Sequence, residues 1–337
     1  MAKKNKTPLG IFSESIGLYF SNFDKFVQYM SFPVLGQIAG LGLVLLITFF
    51  YTQNLPNLLE KYSSLDNFNT LILLSILITL PGLAIFIKAF WDYLVAYGAI
   101  NSMLDNMLKS GRVYDFDAHT ELIKRRSVAF VGLWFLFGIF STIAICPLFW
   151  VVCGILAIYF VLVFQVFTFE PELSPAGCVK RSLELVKGHF ASTFMLMAFA
   201  GLLTYLFIPQ IVIKVFDIAN INTFLANLIM PIVNQLPDLN LQIYGIPNIP
   251  KENIALFTIQ TIIAQILIQY TLPLRSILWS MWYRELAGNV LQAKEQSPKK
   301  RKSKRPSEKL MEVSHKKYGK KKLDSNILKR ASEKDDD

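Results

Sequence analysis

Of the 337 residues, 53% are hydrophobic and only 17% charged, with mean hydropathy +0.42 and formal net charge +10. Soluble globular chains carry about 25% charged residues, so the composition excludes that class and points to an integral membrane protein. Three cysteines, Cys146, Cys153 and Cys178, build no disulfide framework and read as small packing residues.

The chain opens with MAKKNK, but the following IFSESIGLYFSNFDKF is broken by polar residues and offers no small-residue cleavage site. A removable signal peptide is therefore not expected. Thr7 and Pro8 read as N-cap and first-turn proline of an amphipathic helix within residues 1–27. Phe12, Ile16, Tyr19, Phe23 and Val27 line one face, opposite Glu14, Asn22 and Lys25. Apolar runs of the roughly 20 residues that cross a bilayer then predict spans at 29–50, 70–90, 128–145, 148–168, 189–214 and 254–279. The third and fourth come from one apolar block that turns near Ser141 to Pro147. In span one, Gly36 and Gly40 have the spacing that lets helices approach closely.

Between spans two and three, YDFDAHTE gathers Asp115, Asp117, His119 and Glu121. It reads as a helix start capped by Asp117, with an oxygen-rich metal or sugar-phosphate site as the sharper alternative. Between spans four and five, Ser174 and Pro175 open a helix that Gly188 closes. Ala176, Val179, Leu183 and Val186 form its apolar face, and Lys180, Arg181, Glu184 and Lys187 its charged one. Such a helix suits a membrane surface with anionic headgroups. The segment 217–252 carries a further amphipathic pattern at Leu225, Leu228, Ile229, Ile232 and Val233, followed by a proline-rich loop.

From Lys294 onward, 16 basic residues face 8 acidic ones. With few apolar residues this tail, counted from 291, is expected to be disordered. Lys180, Arg181 and Lys187, with Lys299, Lys300, Arg301, Lys302, Lys304 and Arg305 of the tail, are the expected contacts to anionic phospholipid. A protein partner or RNA is the alternative occupant of the tail. Placing both termini in the cytoplasm puts 31 of the 34 basic residues inside, leaving only Lys61, Lys214 and Lys251 outside. A cell-membrane protein with cytoplasmic ends follows. The fold expected is all-α: six transmembrane helices as three hairpins over residues 28–290, with amphipathic interfacial helices and the basic tail.

Over residues 7 to about 290, IFSESIGLYFSNFDKF, ELSPAGCVKRSLELVKGHF and WYRELAGN resemble the membrane domain associated with some glycerophosphodiester phosphodiesterases, and related six-span families. The resemblance implies a six-span helical fold and a link to phospholipid handling. It implies no activity, because the phosphodiesterase of such proteins is a separate soluble domain. No GxSxG, Walker glycine loop, HExxH or CxxC occurs, so no catalytic centre, cofactor or metal is expected.

Ionisable and amide groups within spans are the remaining hints. Asp92 is expected to pair with Arg275 or Lys88, closing the cytoplasmic end of the bundle. Alternatively the two cations snorkel outward beside a belt of Trp91, Trp279 and Trp282. Gln165, Gln265 and Gln269 either bond between helices or line a polar path between spans two, four and six. The first choice makes the chain a non-enzymatic structural or regulatory membrane component; the second makes it a transporter of small solutes or lipids. Mutual facing of those three glutamines separates the two.

Overall fold

A computed structural model describes residues 7–61, 68–236 and 249–296. The helices are α1 (Pro8–Ser21), α2 (Phe23–Lys61), α3 (Phe68–Ser110), α4 (Phe116–Lys124), α5 (Ser127–Ile143), α6 (Trp150–Phe160), α7 (Val163–Phe169), α8 (Pro175–Val186), α9 (Phe190–Gly201), α10 (Ile208–Ile218), α11 (Ile221–Val233), α12 (Lys251–Tyr270) and α13 (Leu272–Gln296). A π-helical stretch, Leu202–Phe207, joins α9 to α10. Every regular element among the described residues is helical. Five helices are long and apolar enough to cross a membrane, and α4 with α5, bent by 76°, makes a sixth if the pair counts as one span. The chain divides into residues 1–290 and 291–337. Of the second unit only the end of α13 is described, and the basic tail beyond it lies outside the described residues, as does most of the expected proline-rich loop.

Sequence chemistry explains the ends of these helices. Thr7 caps α1 by accepting from the Gly10 amide, and Ser174 caps α8 by accepting from Gly177, both at 3.2 Å. Gly188, at φ +88°, supplies the left-handed turn after α8. α4 departs from expectation: Asp115, not Asp117, is its N-cap, itself left-handed at φ 61°. A short carboxylate tolerates that conformation, which leaves Asp117 in the first turn.

α2 and α3 have 39 and 43 residues, about 58 and 64 Å at 1.5 Å per residue. A hydrocarbon layer is only about 30 Å thick, so both helices run well past the predicted spans. They cross where glycine removes the side chains. A Cβ on Gly40 would lie 2.5 Å from the Phe86 nitrogen, and one on Gly82 would lie 2.8 Å from the Gly40 oxygen. Beyond the crossing their outward side chains, such as Leu45 (62% exposed) and Leu73 (67%), stand free of the protein.

The main core gathers at the other end of these helices. There the second half of α3 packs with the N-terminal half of α13 and with α1, α7, α8 and α9. Trp279 and Trp282 belong to this core, 6% and 3% exposed, rather than to an interfacial belt. Predicted span six falls within one candidate span, Lys251–Gly288, in which α12 and α13 meet at Thr271, and helix continues to Gln296, beyond the expected start of the tail. A smaller core joins α10, α11 and α12.

In three amphipathic helices the residues that face the protein overlap only partly with the apolar stripe read from the sequence. α1 buries Ile11, Ser15 and Tyr19, and Asn22 just after it is buried because it ties down the 111–113 turn. Its amide donates to the Gly111 carbonyl at 3.1 Å and accepts from the Val113 nitrogen at 2.8 Å. α8 buries Cys178, Ser182, Leu185 and Val186, with Ala176 exposed. α11 buries Asn222, Ala226 and Val233, while Leu228 is 61% exposed. The physical reason is common to all three: a helix at a membrane surface can turn its apolar stripe to lipid and its small or polar residues to protein partners.

Gly40→Ala should destabilise the purified protein by about 1–3 kcal/mol through overpacking. Gly42→Ala, whose added Cβ meets nothing within 4 Å, should be neutral or gain up to about 1 kcal/mol of helix propensity. Thermal unfolding in detergent compares them, and equal losses would contradict the crossing.

Candidate functional site

α13 is held on one side by a buried amide. The Asn101 Oδ1 of α3 accepts hydrogen bonds from Ser276, from Ser280 (3.0 Å) and from Gln165 of α7 (3.2 Å). Ser276 and Ser280, four residues apart, lie on one stripe of α13. Gln165 also donates to the Tyr97 hydroxyl at 3.3 Å. Other links surround the same helix. Trp282 donates to Thr193 of α9 at 3.0 Å, and Tyr283 to Glu170 at 2.8 Å. Glu170 also takes Arg181 of α8, at 2.9 Å.

With Ser276 and Ser280 turned to Asn101, the stripe Leu272, Arg275 and Trp279 is directed into a cavity of about 470 Å³. The other walls are Tyr93 and Tyr97 of α3, Trp134, Phe137 and Phe140 of α5, Phe160 and Phe164 of α6 and α7, Met197, Ala200 and Gly201 of α9, and Tyr205 of the π-helical stretch. The surface is aromatic and apolar, and Arg275 is its one charged residue. Its guanidinium lies 4.9 Å from the Tyr205 ring centre, donates to the Tyr205 hydroxyl, and donates to the Ile268 carbonyl at 2.9 Å. Two donors in this wall, the Arg275 Nε and the Trp134 Nε1, are buried without a hydrogen-bond partner in the protein. Neither group can accept, so what they lack is an acceptor. Tyr205 stands at the rim, 54% exposed, among the exposed Leu202, Leu206 and Phe207. A smaller cavity of about 290 Å³ shares Phe137, Phe140 and Phe160 and continues to Ala176 and Val179 of α8.

The predicted site residues are brought together only in part. Asp92 pairs with Lys88, one turn away, not with Arg275. The three glutamines do not face one another. Gln165 is in the Asn101 cluster, Gln269 accepts from Gln37 at 3.2 Å, and Gln265 is exposed. Lys180 and Lys187 are exposed, but Arg181, 17% exposed, is held by Glu170 and reaches Glu184 at 3.6 Å. Lys299, Lys300, Arg301, Lys302, Lys304 and Arg305 lie outside the described residues.

In the YDFDAHTE segment, His119 is fastened to α3 by Ser102 (2.7 Å) and Asn106 (3.2 Å). Burial lowers its pKa, against the raising effect of Asp115, and favours a neutral ring that docks α4. Among the described residues no three His, Cys, Asp or Glu side chains are grouped to hold a metal. Cys178 is fully buried and its thiol is pushed up to about 11, chiefly by burial. Packing, not reactivity, is its role.

Sequence reasoning missed Asn101, Ser276, Ser280, Trp134 and Tyr205. The Ser-x-x-x-Ser spacing of SILWS was the available signal for α13, because two small hydroxyls one turn apart in an apolar helix mark a polar contact.

Asn101→Leu strips the acceptor from three donors and should cost about 1–3 kcal/mol of stability, whereas Ser280→Ala removes one of them and should cost about 0.5–1.5 kcal/mol. Matching losses in thermal unfolding would show that Asn101 is no hub. Comparison with protein-family models, curated proteins and solved structures finds no match, so the reading of this site rests on its geometry.

Proposed function

We propose that this chain is a non-catalytic, six-span membrane component that handles lipid, holding an amphiphile in the aromatic cavity beside Arg275. The carrying observation is the cavity itself, a donor-bearing pocket in an apolar wall that opens among exposed apolar side chains. Its volume lies within the roughly 300–1,000 Å³ of ligand sites. An amphiphile from the bilayer matches both of its qualities: hydrocarbon for the phenylalanines, oxygen acceptors for the donors. The adjoining second cavity gives room for more chain. The resemblance to membrane domains linked with glycerophosphodiester metabolism favours the same reading.

Both termini and the segments holding α1, α4 and α8 are assigned to the cytoplasm by the distribution of lysine and arginine. That sets Arg275, with Lys88 and Asp92, at the cytoplasmic interface, where headgroups lie.

A Cβ added at Gly201 meets nothing within 4 Å, so Gly201→Phe can fill the cavity from its wall. Native mass spectrometry of the full chain, gently extracted, should show a bound lipid on the unaltered protein. The filled variant, eluting at the same position on gel filtration, should lose it. An unaltered protein free of lipid, or equal retention by both, would contradict the reading. For topology, Cys178 is too buried to report, but Lys187 is exposed. In a cysteine-free background, Lys187→Cys should react with an impermeant maleimide only after the cytoplasmic side is opened. Reaction on intact cells would reverse the orientation.

A further inference from the structure

We infer that the cavity selects an anionic headgroup, with Arg275 and Trp134 as the donors that receive its oxyanion. This deepens the lipid-holding reading and rests on it. Among the described residues Arg275 pairs with no carboxylate, unlike Lys88, Arg125, Arg181 and Arg284. A guanidinium partly withdrawn from water, with its Nε fully buried, favours a counter-charge or further acceptors. Here it has the hydroxyls of Tyr205 and Tyr93, an aromatic face and one carbonyl, but no charge partner, and its Nε has nothing.

The second orphan donor, Trp134 Nε1, lies in the same wall. Two buried N–H groups that can only donate favour an oxygen-rich anion, and guanidinium geometry suits phosphate in particular. The alternative occupant is a choline headgroup, which aromatic walls attract through cation–π contact. Arg275 opposes it, because a quaternary ammonium in this cavity would meet a like charge and no carboxylate. Tyr205 then acts as a stand-in. Its hydroxyl occupies one edge of the guanidinium, and a phosphate displaces it toward the rim, where the side chain is already half free.

The full chain is reconstituted in nanodiscs of equal phosphatidylglycerol and phosphatidylcholine, re-extracted, and its bound lipids are counted by mass spectrometry. Phosphatidylglycerol should be enriched roughly tenfold over phosphatidylcholine, the ratio that corresponds to about 1.4 kcal/mol. Arg275→Gln should bring the ratio near one. Arg275→Lys, which keeps the charge, should retain part of the preference and guards against a simple folding defect. Tyr205→Phe should maintain or raise it.

Enrichment that survives Gly201→Phe belongs to surface cations and overturns the assignment. Loss of all lipid in Gly201→Phe, with an Arg275→Gln ratio equal to that of the unaltered chain, leaves the cavity reading standing and overturns the headgroup. Preference for phosphatidylcholine does the same. No lipid on the unaltered chain defeats both. Millimolar inorganic phosphate added during extraction separates the sources: retained phosphatidylglycerol supports the lipid headgroup, and its replacement by phosphate assigns the site to the free anion and overturns the lipid.

Discussion

The register of α13 is the constraint on which the site depends. A helix surrounded by other helices has no water to satisfy its hydroxyls, so Ser276 and Ser280 must meet a protein acceptor, and Asn101 supplies it. Once that stripe faces α3, helical geometry leaves no choice about the next one. Leu272, Arg275 and Trp279 face the cavity because Ser276 and Ser280 face Asn101. A rotation of α13 by one residue would break the first set of contacts and withdraw Arg275 from the second.

This arrangement also explains where the protein is well packed. In an apolar medium, helices gain little from burying leucine against leucine, and close approach or polar contact must hold them. α2 and α3 use close approach at Gly36, Gly40 and Gly82. Toward their other ends, polar links take over. Asn22 holds the 111–113 turn, Arg126 donates to the Phe167 carbonyl at 2.6 Å, and Glu170 bridges Arg181 and Tyr283. Each joins segments distant in sequence, so this end of the bundle has one continuous core. Of the buried polar atoms left without a partner at this end, Trp134 Nε1 and Arg275 Nε lie in the cavity wall, while Asn101 Nδ2 and Gln165 Oε1 lie in the amide cluster behind it.

Much of the framework was legible in the sequence, because the length of an apolar run and the chemistry of a cap are local properties. Thr7 with Pro8, Ser174 with Pro175, and Gly188 all do what their residue types demand. The glycines of span one announced the α2–α3 crossing. Faces were less legible. Phe20 and Phe23 on the outside are as apolar as Ile11 and Phe26 on the inside, so periodicity identifies a stripe without identifying its partner. The site was least legible, since it depends on which residues α13 meets. Arg275 stood out as an intramembrane cation, but nothing local distinguishes Asp92 from Tyr205 as its neighbour. Gln165, Gln265 and Gln269 looked alike in sequence and are placed in three different surroundings. Asn101, late in α3 and past the end of its apolar run, carries no local signal of its partners.

The most direct test is a cryo-electron microscopy map of the full chain in a lipid nanodisc. The account predicts α13 in its present register, with Ser276 and Ser280 against Asn101. It also predicts elongated density between Phe137 and Phe160 that ends in a headgroup beside Arg275 and Trp134. A cavity closed by collapse of its aromatic walls, or an α13 rotated so that Arg275 leaves it, would contradict the account.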